Sequence, residues 1–391
     1  MLIISKTVRI FFSLGAKMKK ITILFITIFL LAATASAQTT AKEFYEIGKA
    51  ASLKGDFKPA GENFKKAFAL DPNALPANLS AVVAKMNAKD AAGAHDALTT
   101  AIKAEPNDPY FYFLRGIMAS LPGVPAAAAG TAMADLDKVL ETFPNNAGVY
   151  FFRAAMRLDK GDPDGAIADA TKALDLRAQL EPQDIAATYF NRGKARFQKK
   201  DYDGTNLDLT KAIEIDPKNI DYYLVRAGAR VNIDDIAGVI ADYSKVIEFD
   251  PANAKLYITR GQLRFGIKDF ANAIPDFTKA IEINPKHAEI SVAYYNRALA
   301  KVATDDYAGA IADSTKAIEI NPNYDDAYEM RGVARGLSND AAGSIADHTK
   351  AIQLAPNNPS HYSARANQYR SMKKLALAAA DDKRAAELKK P

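Results

Sequence analysis

Apolar side chains in this chain fall at helical rather than strand spacing. Small and large residues follow one another as small-x-x-x-large-x-x-small in Ala60/Phe64/Ala67 and again in Ala273/Phe277/Ala280, which lays a single apolar stripe along a helix. The stripes themselves recur. Pro72, Pro106, Pro144, Pro182, Pro217, Pro251, Pro285, Pro322 and Pro356 succeed each other at 34, 38, 38, 35, 34, 34, 37 and 34 residues. A period near 34 predicts one helical pair per repeat. Most of these prolines close a segment such as 279–285 or 316–322, where a residue that cannot continue the helix marks its stop.

Laid over one another, the segments register in ten copies. An aromatic opens the first helix in nine of them: Phe44, Tyr112, Tyr150, Tyr189, Tyr223, Tyr257, Tyr294, Tyr328 and Tyr362, with Asn78 as the exception. Gly48, Gly116, Gly193, Gly261 and Gly332 stand four residues later, small enough for two helix backbones to approach closely. An Asp occupies the turn at 56, 90, 162, 201, 235, 269, 306 and 340. Each is placed to cap the second helix by accepting from its free backbone N–H groups. Three local departures, at 121–130, 177–181 and 286–290, read as longer turns rather than domain boundaries.

This pattern resembles the tetratricopeptide repeat family over roughly 41–391. The resemblance implies an all-α fold, an α-solenoid of about ten antiparallel helix pairs wound into a right-handed superhelix, with the first helix of each pair lining a concave groove. The expected solenoid spans 38–391, and its last repeat, 359–391, is expected to form a polar C-terminal cap. The resemblance also assigns groove-lining roles to residues one and five places after the aromatic. These are Phe113 and Ile117, Phe151 and Ala155, Phe190 and Lys194, Leu224 and Gly228, Ile258 and Gln262, and Tyr295 and Leu299. The set is mainly apolar, suited either to an apolar or amphipathic peptide or to packing against the next repeat. Gripping an acidic C-terminal tail, one familiar use of the family, needs Lys directly after the aromatic, and no repeat has it.

One column departs from the family. Where Leu is usual, three residues after the aromatic, stand Arg115, Arg153, Arg192, Arg226, Arg260, Arg297, Arg331 and Arg365. The same eight repeats carry Asp135, Asp169, Asp208, Asp242, Asp276, Asp313, Asp347 and Asp381 on the second helix, whereas the other two have Asn63 and Ala97. Because Arg and Asp appear and vanish together, each Arg is expected to contact an Asp, within its repeat or in a neighbour. A guanidinium set against packed helices needs a carboxylate to receive its N–H groups two at a time. The ladder therefore reads as structural rather than ligand-binding.

Charge alters the picture at the N-terminus. Residues 1–37 read as a leader, with Met18-Lys19-Lys20 as its basic start, an apolar run over 21–33 and the small-residue cleavage site Ala35-Ser36-Ala37. The true start is expected at Met18 and the mature chain at Gln38. The apolar run is short for a permanent span, so cleavage and export to the periplasm or the exterior are expected; retention as an uncleaved N-terminal anchor is the alternative. The formal charge of +5 comes from 51 Lys and Arg against 46 Asp and Glu, and five of the basic residues lie in this leader. The remainder is neutral, without the footprint of a general nucleic-acid binder.

There is no Cys, which excludes disulfides and thiolate chemistry. The four His, at 95, 287, 348 and 361, form no metal-ligand spacing. Asp347-His348-Thr349 falls on the second-helix face where Tyr243 and Phe277 stand in sibling repeats, which marks it as packing. No catalytic, cofactor or metal site is expected. The chain reads as a non-enzymatic scaffold for a protein or peptide partner of unspecified identity, or else as a module for a cell-wall glycan or another small ligand. Its oligomeric state is not fixed by the sequence.

Overall fold

The computed structural model describes residues 40–119, 121–124, 128–284 and 290–389. The expected leader lies outside these residues, as do part of the 121–130 insertion and most of the 286–290 join. Among the described residues the structure is helical, with no strand. Ten helical pairs run in order. They are α1 (40–52) and α2 (Phe57–Leu70), α3 (Ala77–Asn87) and α4 (Ala91–Ala104), α5 (Pro109–Met118) and α6 (Ala128–Thr142), α7 (Ala147–Asp159) and α8 (Pro163–Asp175), and α9 (Pro182–Gln198) and α10 (Tyr202–Ile215). There follow α11 (Ile220–Asn232) and α12 (Ile236–Phe249), α13 (Ala254–Gly266) and α14 (Phe270–Ile283), α15 (Ile290–Ala303) and α16 (Tyr307–Ile320), α17 (Asp325–Leu337) and α18 (Ala341–Leu354), and α19 (Pro359–Ser371) and α20 (Leu375–Leu388). Short 3₁₀ turns at Pro72–Ala74 and Arg177–Gln179 take up extra residues between repeats.

The chain divides into two compact units, one ending at Lys199 and the other beginning at Lys200. The first contains α1 to α9 and the second α10 to α20. Within each unit successive helices pack on one another, and first helices of consecutive repeats also touch, as in α7 with α9, α13 with α15, and α15 with α17. The first unit has a continuous aromatic core in which Phe57 stacks on Phe113 at 4.7 Å and meets Phe143 edge-on at 5.6 Å. The second unit is filled more by alanine, with Ala273, Ala280, Ala310, Ala317 and Ala351 sealed from solvent. Such small residues bring helix backbones close enough that single glycines matter. A Cβ on Gly261 would lie 2.6 Å from Phe277, and one on Gly332 would lie 2.8 Å from His348.

Nine of the ten repeats end the turn between their helices with a residue pair that follows one recipe. Its first residue is left-handed, with φ between 56° and 81° at 55, 89, 161, 200, 234, 268, 305, 339 and 373. Its second residue closes the first helix by a six-to-one bond, as when Asp235 N–H donates to the Arg230 carbonyl and Asp340 N–H to the Arg335 carbonyl. The same Asp then opens the second helix.

Six of the eight turn aspartates cap through their side chains. Asp90, Asp162, Asp201, Asp235, Asp306 and Asp340 each accept from the amide three residues on, at 2.8–2.9 Å, and in every case that residue is glycine. Asp56 and Asp269 do not cap, contrary to the sequence expectation. Three residues after Asp56 comes Pro59, which has no N–H to donate. Three after Asp269 comes Asn272, whose side-chain amide takes the carboxylate instead. Glycine is needed because the second carboxylate oxygen sits 2.1–2.2 Å from where a Cβ would be. Gly309→Ala should therefore fail to deliver the gain of about 1 kcal/mol normal for this substitution inside a helix, because the cap it displaces is worth about the same. A urea midpoint raised by that full amount would refute the coupling.

In the terminal repeat, α20 exposes Leu375 and Leu377 beside its charged residues.

Candidate functional site

The Arg and Asp columns meet within seven of the repeats. In seven repeats Arg Nη2 and Nε donate to the two carboxylate oxygens of the Asp on the paired helix, at 2.6–2.8 Å and 2.8–3.2 Å. The pairs are Arg115–Asp135, Arg153–Asp169, Arg226–Asp242, Arg260–Asp276, Arg297–Asp313, Arg331–Asp347 and Arg365–Asp381. The eighth Arg, Arg192, belongs to the first unit and Asp208 to the second. The aspartates are buried, and the tyrosine that opens the helix lies beneath most of the guanidinium groups, as for Arg153 over Tyr150 at 5.4 Å.

Two further contacts were not foreseen. The remaining Arg nitrogen reaches back to the second helix of the preceding repeat. Arg226 donates to the Thr210 hydroxyl at 3.0 Å, Arg260 to Ser244 at 2.9 Å, Arg297 to Thr278 at 2.9 Å and Arg365 to Thr349 at 3.0 Å. A second cation, one turn along, also reaches the Asp: Arg157 on Asp169, Arg230 on Asp242, Arg264 on Asp276, Lys301 on Asp313 and Arg335 on Asp347, at 2.7–3.0 Å. Each guanidinium thus joins its own helical pair and ties that pair to its predecessor. The tyrosine hydroxyls brace the joins, donating from Tyr112, Tyr150, Tyr223, Tyr257 and Tyr362 to the carbonyls of Pro106, Pro144, Pro217, Pro251 and Pro356.

With these columns committed to packing, the surface left on the first helices lies one and five places after the aromatic. Phe113 is buried in the aromatic core, where it packs on Phe57, and Ile117 is packed against the same core. Phe151 lies half-buried against Phe152, and Lys194 sits 5.2 Å from the Phe190 ring centre. In the second unit Leu224 and Gln262 are exposed, while Ile258, Tyr295 and Leu299 are half-buried. Continued into the last two repeats, the same register adds Glu329 and Val333, then Ser363 and Asn367.

These four residues line a cavity of about 690 Å³ within the second unit. Its wall also includes Gln368 and the buried His348, and Lys389 stands exposed at its rim. The Nδ1 atom of His348 is buried without a hydrogen-bond partner. Burial pushes this imidazole down to about 4, although Glu329 and Asp347 draw it upward. Beside it His361, fully buried, joins α19 to α17: Nε2 lies 2.9 Å from Asp325, and Nδ1 is hydrogen-bonded to Glu329. Burial opposes charge on His361, but these two carboxylates hold it above its ordinary value. Glu329 would be raised by burial, yet hydrogen bonds from His361 and Ser360 hold it below the usual carboxylate range. Asp325, Asp326 and His361 each place one potential ligand atom within 4.8 Å of the others. Both ring nitrogens of His361 already face carboxylates, the arrangement of a buried ion pair.

A tetratricopeptide repeat profile matches residues 44–74, 186–219, 254–287 and 291–324. The chain carries tetratricopeptide repeats. Solved structures to which the chain is similar include the following. The C-terminal part of a repeat protein from Cytophaga hutchinsonii is 20% identical, with 60% of this chain and 94% of that one covered and a TM-score of 0.48. One from Parabacteroides merdae is 20% identical, with 62% and 93% covered and a TM-score of 0.42. PilF of Pseudomonas aeruginosa is 18% identical, with 54% and 94% covered and a TM-score of 0.41. No curated protein matches the sequence. No helix among the described residues is long and apolar enough to cross a membrane.

Proposed function

We propose that this chain is an exported, non-catalytic scaffold that holds a peptide segment of a protein partner along the first helices of its repeats. The observation that carries this reading is a division of labour among first-helix positions. The Arg, Gly and Tyr columns are taken up in contacts between helices, whereas the positions one and five after the aromatic keep Leu224, Gln262, Ile258 and Tyr295 at least partly open. Apolar and aromatic side chains at successive repeats match the spaced anchors by which an extended or helical segment is held. Export rests on the leader at 1–37.

A photocrosslinking residue at position 224 or 258 should trap a protein partner in the native host. The same residue at Lys245, exposed on a second helix, should not. Leu224→Glu with Ile258→Glu should abolish the trapped product while leaving helicity unchanged. Equal trapping at 245, or none from folded protein, would overturn the reading. Amino-terminal sequencing of the mature chain should begin at Gln38.

A further inference from the structure

We propose that the cavity between the ninth and tenth repeats is a receptor for a lysine side chain of the bound peptide. This rests on the peptide reading and specifies its chemistry at one end. Along the second unit, the position after the aromatic reads Leu224, Ile258, Tyr295, Glu329 and Ser363, so an apolar run gives way to a carboxylate and then a hydroxyl. The cavity opens where that change occurs, and its 690 Å³ is within the range of small-ligand sites.

Its charge favours a cation. Glu329 lies in the wall, and Asp325 and Asp326 stand close behind it on the first turn of α17. Against these three carboxylates are His361, already engaged by Asp325 and Glu329, and Lys389, exposed at the rim. An ammonium brings three N–H donors and needs three acceptors. Glu329 supplies one. Gln368 supplies a second through its carbonyl oxygen, for which Gly336 makes room, since a Cβ there would come within 2.4 Å of it. The third is an oxygen of Ser363 or Asn367, which stand in the same wall.

The test is titration calorimetry of the full mature chain with a blocked peptide, acetyl-Ala-Leu-Lys-Ala-amide, and its norleucine counterpart. The lysine peptide should bind at least tenfold more tightly. Glu329→Gln should erase the difference. Gly336→Ala, which leaves the His361 ion pair untouched, should reduce it several-fold by displacing the Gln368 oxygen. Equal affinity for the two peptides, or no binding of either to folded protein, would overturn the lysine receptor. The groove reading is judged separately by the crosslinks at 224 and 258, and it survives if they trap a partner that binds Glu329→Gln as well as the parent chain.

Discussion

Replacing Asp276 by alanine should destabilise the seventh repeat by roughly 3–5 kcal/mol, the range for removing one partner of a buried ion pair. The large figure applies because Asp276 is buried and shared. Arg260 takes both of its oxygens and Arg264 approaches one of them at 2.7 Å, so its loss leaves two cations facing each other without a counter-charge. Arg260→Ala should cost less, since Arg264 remains on the carboxylate. Because repeats contact mainly their neighbours, the loss should be local. Amide hydrogen exchange in α13 and α14 should accelerate roughly a hundredfold or more, with α18 to α20 nearly unchanged. Acceleration below tenfold would show that the ladder is dispensable. Crosslinking at position 224 should survive the substitution.

Acid should loosen the C-terminal repeats, and His348 should be the main cause. In the unfolded chain this imidazole takes a proton near its ordinary value of about 6.5, whereas burial holds it to about 4 in the fold. The unfolded state therefore binds more protons across that interval, and stability falls with pH by roughly 3 kcal/mol in all. Glu329 has the same sign at lower pH: its lowered native value gives stability above its ordinary range that is lost as it becomes protonated. His361 has the opposite sign. Its raised value contributes fully below about pH 6.5 and is lost as pH rises through the native value. His348→Phe borrows the residue that fills this position in the seventh repeat, where Phe277 lies against Gly261 as His348 lies against Gly332. The variant should match the parent at pH 7 and keep most of its stability at pH 4.5. Equal acid loss in both, read from urea midpoints, would clear His348 of the effect.

The repeat was legible because every copy states the same constraints in the same order, so ten short helical pairs that are individually ambiguous become one periodic statement. The Arg and Asp columns were legible for the same reason, through their joint absence from two repeats. What escaped was the second cation that reaches the Asp and the hydroxyls that couple one repeat to the next. Arg157, Arg230, Arg264 and Arg335 stand one turn beyond the ladder Arg, where a long charged side chain reads as solvent-facing until its partner is placed. The hydroxyls at Thr210, Ser244 and Thr278 are chemically unassertive and lie 16 to 19 residues upstream of the Arg they serve. The failed caps at Asp56 and Asp269 were within reach, since Pro59 and Asn272 stand where the other repeats have glycine. The C-terminal cavity lay in the register already drawn, but its chemistry changes at Glu329, beyond the apolar positions that gave the groove its character.

The backward reach of each ladder Arg gives the array a direction. A helical pair receives support for its guanidinium from the pair before it, most often from a hydroxyl, although Arg153 takes the carboxylate of Asp137. A hydroxyl without its donor can turn to water, but a guanidinium pinned on two sides by its own Asp cannot turn to follow a lost acceptor. Shortening the array from its C-terminal end thus leaves the exposed face chemically at ease, and shortening it from the other end does not. Synthesis proceeds in the favourable sense: each newly emerged pair finds its acceptor already in place, and the array can set hard behind its own growing tip.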